Sequence, residues 1–158
     1  LKGFEIDLTA RPAEGLTLNG NIGYLDAKYE DFLADTNNDG VIDDNSDLEL
    51  RRAPKWNWTL GATYEAPIGP GEFWISGDVH YIGAHEISFL NNPALRNDGQ
   101  FLVNGSVNYK IGNTQVSAFV RNLLDEDGWT IGYDVQGLWS YGAPRPPRTY
   151  GVVVTQTF

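Results

Sequence analysis

The stretch Trp56 to Glu65, WNWTLGATYE, constrains the fold more than any other. Trp56, Trp58, Leu60, Ala62 and Tyr64 alternate with Asn57, Thr59, Gly61, Thr63 and Glu65. Successive side chains of an extended chain point to opposite faces, so this is a strand with one oily face and one wet face. The same period recurs along the chain. Phe4, Ile6, Leu8 and Ala10 alternate with Glu5, Asp7 and Thr9; Leu16, Leu18, Ile22 and Tyr24 with Thr17, Asn19 and Asn21; Phe73, Ile75, Val79 and Tyr81 with Ser76, Asp78 and His80. Phe101, Val103, Val107 and Tyr109 are set against Asn104, Ser106 and Asn108, and Val116, Ala118 and Val120 against Gln115, Ser117 and Arg121. The final stretch sets Tyr150, Val152, Val154 and Phe158 against Gly151, Thr155 and Thr157, with Val153 and Gln156 breaking the rule. About seven antiparallel strands are predicted.

Short connections at 10–15, 67–71 and 112–113 alternate with long ones at 30–50, 86–99 and 122–147. Bacterial outer-membrane barrels are built in this way, with short periplasmic turns and long extracellular loops. The wet faces carry Asn, Thr, Ser and Gly more than Lys and Glu, which suits a water-filled lumen. Aromatics gather at both strand ends: Tyr64, Phe73, Trp74, Tyr109 and Phe158 near the short turns, and Tyr24, Trp56, Trp58, Tyr81 and Phe101 near the long loops. Two interfacial girdles require that arrangement. A soluble β-sandwich also alternates, but it packs its apolar face against a second sheet. The expected fold class is therefore all-β, an antiparallel transmembrane β-barrel. A complete bacterial barrel has an even strand count, so an odd set of strands points to part of a larger barrel.

Composition narrows the function classes. A net charge of −10 over 158 residues leaves too few clustered cations to grip a phosphate backbone, so no nucleic-acid partner is expected. Cysteine is absent, which removes thiol and disulfide chemistry. No apolar run nears the ~18 residues of a spanning helix, so any membrane crossing is by strands. Asp125, Glu126 and Asp127 offer carboxylates without a nucleophile, a phosphate loop or a Cys/His cluster beside them, so the chain does not read as an enzyme and no cofactor is certain. Leu1 opens directly into the alternation with no signal peptide before it, and the chain is expected to be a piece of something longer.

The closing residues carry a family resemblance. Asn122 to Asp127, NLLDED, leaves the sixth strand; Gly142 to Arg145 and Arg148 to Gly151 lead into the seventh, which runs to Phe158. Together they resemble the closing end of TonB-dependent outer-membrane receptors, with Pro146 and Pro147 as extra residues and Gln156 where the family usually carries an aromatic. The resemblance implies a barrel of about 22 strands, of which residues 1–158 form the C-terminal part, with the plug domain and earlier strands outside this sequence. It further implies energy-coupled transport of a scarce, bulky small-molecule ligand across the bacterial cell outer membrane, such as a metal–siderophore complex in iron uptake, a cobalamin or an oligosaccharide. The implied partners are outer-membrane lipid, the TonB complex through the absent N-terminal region, and the outer-membrane assembly machinery. That machinery would read Tyr150, Val152, Val154 and Phe158 as its signal.

Two loops hold candidate site residues. In DTNNDGVIDDNSD, Asp35, Asn37, Asp39, Val41 and Asp43 fall at the first, third, fifth, seventh and ninth positions of an EF-hand-like loop, with Gly40 at the turn, which suits Ca2+. Ser46 stands where the bidentate Glu belongs, and an acidic, solvated loop accounts for the same residues. Trp129, Tyr133, Trp139 and Tyr141 place aromatics among glycines in the last long loop, able to stack on a ligand or to pack over neighbouring loops. His80 shares the wet face with Asp78 and reads as a solvated wall residue. Two other functions stay open: a small autonomous outer-membrane barrel with a passive or structural role, and a secreted calcium-binding β-domain.

Overall fold

The computed structural model describes residues 1–135 and 138–158. The strands in chain order are β1 (Lys2–Ala13), β2 (Leu16–Asp26), β3 (Leu33–Ala34), β4 (Asp43–Asp44), β5 (Trp56–Ile68), β6 (Gly71–Ile82), β7 (His85–Glu86), β8 (Arg96–Asn97), β9 (Gln100–Ile111), β10 (Thr114–Arg121), β11 (Trp129–Val135), β12 (Trp139–Pro144) and β13 (Thr149–Gln156). Seven long strands form one antiparallel sheet in the order β1-β2-β5-β6-β9-β10-β13. The other six pair within the long loops as three ribbons, β3-β4, β7-β8 and β11-β12. Sequence periodicity predicted the seven and missed the ribbons.

Register turns the alternation of single strands into rows that cross the sheet. Ile6, Ile22, Trp58, Tyr81 and Phe101 stand in one row, and Leu8, Gly20, Leu60, Val79 and Val103 in the next. Lower down, Tyr64, Ile75, Val107, Ala118 and Val152 follow, then Ala66, Phe73, Tyr109, Val116 and Val154. The opposite face carries Asn21, Thr59 and His80, then Asn19, Gly61, Asp78 and Asn104, then Thr17, Thr63, Ser76 and Ser106. Hydrogen bonds knit this wet face: Thr59 Oγ1 lies 2.7 Å from His80 Nδ1, and Asn104 Nδ2 donates to Asp78 at 2.8 Å. The wall has no core. Large apolar side chains such as Leu8, Leu60 and Val152 are exposed on its oily side.

At the loop end the oily rows finish in stacked aromatics. Phe4, Tyr24 and Trp56 form one cluster with centroids 4.7–6.0 Å apart, and Trp58, Tyr81 and Phe101 a second at 4.9–5.9 Å. The Lys55 ammonium lies 5.9 Å above the Tyr24 ring. Such amphipathic rings, with a cation beside them, belong at a membrane–water interface. Trp74 departs from the expected girdle: it faces the wet side between Glu65 and Asn108.

The short connections are two-residue hairpins at 14–15, 69–70 and 112–113. Gly69 and Gly112 hold φ of 59° and 55° at the first turn position, the place where a type II′ hairpin needs a glycine. β1 continues past Ala10 to Ala13, into the expected short connection, because the register shift between Ala10 and Ala13 takes Pro12, which has no N–H, out of the regular ladder. β2 runs on to Asp26, two residues beyond Tyr24, the last of its alternating apolar residues. β1 pairs only with β2 and β13 only with β10, so the sheet does not close on itself. No second sheet covers its oily face among the described residues, and this sets aside both the sandwich and the small closed barrel.

Leu60→Arg puts a charge on the oily row near mid-strand and is expected to cost ~2–4 kcal/mol of folding stability in lipid. Thr59→Arg, facing the wet side, loses one hydrogen bond to His80 and is expected to be tolerated. Equal damage from both, measured by unfolding in lipid vesicles, contradicts the two-faced wall.

Candidate functional site

Apart from Asn108 on the wet face of β9, the buried side chains among the described residues lie at the loop end. Ile87 and Leu95 are the buried apolar residues among those described, and Glu86, Ser88, Asn97, Gln100 and Asn122 are buried beside them. Polar groups withdrawn from water must be hydrogen-bonded, so the loops are held by specific contacts more than by apolar area.

Asn122 builds the base of the last loop. Its φ of 50° turns the chain sharply after β10. Its Oδ1 accepts the backbone N–H of Glu126 at 2.8 Å, while its Nδ2 donates to the carbonyls of Glu126 and Pro146. Asp125 then accepts the backbone N–H of Arg148 at 2.7 Å. The NLLDED and GAPRPPR segments are thus two limbs of one clasp. Arg145 donates to Gln100 at 2.7 Å, and Gln100 donates to the carbonyl of Asp127, so the clasp is tied to the wall at the start of β9. A cavity of about 660 Å³ lies here, lined by Arg96, Asp98, Gln100, Asp125, Asp127 and Arg145 among others. Of the three consecutive acids, Asp125 serves the clasp through its carboxylate and Glu126 and Asp127 through their backbone groups.

Above the clasp stands the β11-β12 hairpin, whose two faces differ in kind. On one face Tyr133 pairs with Tyr141 and Val135 with Trp139, with Ile131 and Ala143 below them. None of these is charged, and Tyr133, Trp139 and Tyr141 are each more than half exposed, at 56%, 57% and 53%. The other face pairs Gly132 with Gly142 and Asp134 with Ser140. It is seated on the 84–97 loop: a Cβ at Gly132 would stand 2.7 Å from Ile87 Cγ2, and one at Gly142 would stand 2.7 Å from the Trp129 ring. Glycine is needed here for close approach, not for backbone freedom. A register shift between Trp129 and Ile131 parts Trp129 from the other candidate aromatics, so its ring packs under Gly142 while the other three share the open face.

The hairpin is pinned at both ends. Asn97 meets Trp129 at the base, and at the tip Asn92 Nδ2 donates to Asp134 at 2.6 Å and to Ser140 at 3.0 Å. The first long loop joins in. Arg52 donates to the Thr130 carbonyl at 2.8 Å, and Glu49 and Asn91 exchange two hydrogen bonds at 2.6 and 2.9 Å. Buried Glu86 pairs with Arg96, whose guanidinium also reaches Glu49 at 3.1 Å. The wall histidine His80 holds Thr59, and His85 lies buried in the loop seat.

The acidic loop gathers part of its candidate set. Asp35 accepts the backbone N–H groups of Asp39 and Gly40 at 3.2 and 2.8 Å, Asn37 donates to Asp39 at 2.9 Å, and Asp39 accepts from Val41 at 2.8 Å. Asp43 stands apart on β4, paired with Ala34. No group of three or more His, Cys, Asp or Glu side chains converges on a common point among the described residues.

Residues 1–123 match the family described as TonB dependent receptor-like, beta-barrel. The chain belongs to that family. Such receptor barrels lie in the bacterial outer membrane, and the wall described above is a stretch of one; the family is one of receptors and transporters. The ferric yersiniabactin uptake receptor FyuA of Yersinia pestis has the same fold, with a TM-score of 0.73 at 19% identity over 99% of this chain and 23% of that one. BauA, the ferric preacinetobactin receptor of Acinetobacter baumannii, gives 0.69 at 25% identity over 98% and 21%. The siderophore receptor PiuA of the same organism gives 0.74 at 18% identity over 96% and 21%. This receptor chain therefore spans about a fifth of the length of those proteins.

Two outcomes follow for the receptor's loops. Asn122→Ala removes the hydrogen-bond partner of the Glu126 N–H and of the Glu126 and Pro146 carbonyls and is expected to cost about 1–3 kcal/mol, seen as faster hydrogen exchange through 122–148 with the wall unchanged. Burial alone would raise the Asp134 carboxyl, but hydrogen bonds from Ser88, Asn92 and Ser140 outweigh it and hold the group below its usual 3.8. A carboxyl depressed in the folded state stabilises above its unfolded value and loses that contribution as pH falls through the folded one. Exchange at the hairpin tip should therefore accelerate in acid below about pH 4 in the native protein and lose that dependence in Asp134→Asn.

Proposed function

We propose that this chain supplies wall strands and ligand-capturing loops to an energy-coupled outer-membrane receptor that imports a ferric siderophore. The observation that carries the reading is the open, uncharged face of Tyr133, Trp139 and Tyr141 on a hairpin whose other face is fixed to its neighbours. Aromatic rings stack on planar and apolar parts of a ligand, and a rigid backing removes the cost of ordering them at the moment of binding. The named ligands of FyuA and BauA support the ligand class, and BauA adds sequence likeness to likeness of fold. In this reading residues 1–158 are the C-terminal part of the barrel, β1 and β13 join strands outside this chain, and the plug and TonB contact lie there too. Tyr150, Val152, Val154 and Phe158 act as the assembly signal.

Radiolabelled iron uptake by the full-length receptor, in cells lacking other siderophore receptors, tests this with ferric yersiniabactin, ferric preacinetobactin and a ferric catecholate. Uptake of at least one complex is expected, lost when TonB is removed. Trp139→Ala with Tyr141→Ala should weaken binding of that complex on the order of tenfold or more. Uptake of none of the three, or uptake indifferent to TonB, overturns the proposal.

The acidic loop adds a weak calcium site to this proposal, because Asp35, Asn37 and Asp39 already share one turn. Calorimetry on the receptor should give a dissociation constant in the high micromolar to millimolar range, abolished by Asp39→Ala. A heat unchanged in that variant removes the site.

A further inference from the structure

We propose that Asn97 is the positioning residue of the capture surface, holding the aromatic hairpin in register with the 84–97 loop; this rests on the capture reading given above. Asn97 sits on β8 and is 2% exposed. Its amide pairs with both backbone groups of one residue of another loop: Oδ1 accepts the backbone N–H of Trp129 at 2.8 Å, and Nδ2 donates to the carbonyl of Trp129 at 3.0 Å. A side-chain amide that pairs with both the N–H and the C=O of a single residue acts as one rung of a ladder, and here that rung is the only one joining β8 to the start of β11 among the described residues. Trp129 lies just before the register shift that turns Ile131, Tyr133 and Val135 to the open face, so fixing its backbone fixes which side the aromatics show.

His85 sets the direction of that amide. Its Nδ1 lies 2.8 Å from the Gly83 carbonyl, which can only accept, so Nδ1 carries the proton and Nε2 is left as an acceptor facing Asn97 Nδ2 at 3.3 Å. A turned amide would set oxygen against both His85 Nε2 and the Trp129 carbonyl. The chain Gly83–His85–Asn97–Trp129 therefore has one satisfied arrangement, running from the top of the wall to the base of the hairpin. Asn92 holds the hairpin higher up and the glycine seat meets Trp129 only at its ring, whereas Asn97 holds the backbone of the residue from which the register is counted.

The test uses the full-length receptor, freed of any cysteine, with nitroxides at Tyr133→Cys and Phe4→Cys, and electron–electron distances between them. Asn97→Ala should broaden that distance distribution while the folded fraction, read by heat-modifiable migration, is unchanged. Asn97→Asp keeps the size but offers acceptors to two acceptors, and should behave in the same way. Binding of the ferric siderophore taken up in the assay above should weaken about tenfold, one lost pair of hydrogen bonds, in Asn97→Ala. On a Trp139→Ala, Tyr141→Ala background that penalty should vanish, because a positioning residue acts through what it positions. An unchanged distance distribution in both Asn97 variants, or a penalty that persists in full on the truncated background, overturns the inference. If the aromatic truncations leave affinity intact while Asn97→Ala still broadens the distances, the capture reading falls and the positioning of the hairpin stands.

Discussion

Hydrocarbon offers no water to a peptide group, so every backbone N–H and C=O of the wall must find its partner on the next strand. All else in the structure follows from that ladder. It makes the wall a continuous antiparallel sheet, and it makes side-chain burial almost irrelevant there, since a lipid tail solvates Leu60 as well as a protein core would. It also sorts each residue by parity alone, oily outward and wet inward, so a single slip in register would reverse the whole strand. β1 and β13, each paired on one side, carry the same requirement on their open sides.

The loops answer to a different solvent. Facing water, they cannot rely on the ladder, and they are too short of apolar side chains to form an ordinary core; Ile87 and Leu95 stand nearly alone. Asparagine takes over the task. Asn91, Asn92, Asn97 and Asn122 each bind a distant segment, and three of these links reach the backbone, where an amide can offer a donor and an acceptor together. A cap built in this way is specific without being oily, which leaves its aromatic residues free to face outward.

This contrast explains what the sequence disclosed. The seven wall strands were legible because parity writes itself into composition, and the two-residue turns were marked by Gly69 and Gly112. The ribbons β3-β4 and β7-β8 are too short to show a period. β11-β12 does alternate, but its apolar face looks into water and its seated face is glycine, an inversion of the usual sign. The importance of Asn97 was hidden because one asparagine among many carries no pattern; only proximity to Trp129, 32 residues away, reveals it. Asn122 and Asp125 were visible through family resemblance, and the structure supplies the reason: both sit at positive φ and close the clasp on Pro146 and Arg148. Of the four aromatics marked in the last loop, three stand together, and the register shift that removes Trp129 leaves no trace in composition.

The glycine seat has a consequence for how such receptors diversify. Because β11-β12 rests on the 84–97 loop through two glycines and a set of mutually satisfied amides, neither loop is a separate unit of inheritance. Replacing one from a relative strands half of the amides against a foreign partner, whereas exchanging 84–147 whole carries both sides of every contact between these two loops across the same strand ends. Ligand preference in this architecture would then change by recombination of a paired cassette more readily than by drift within a single loop.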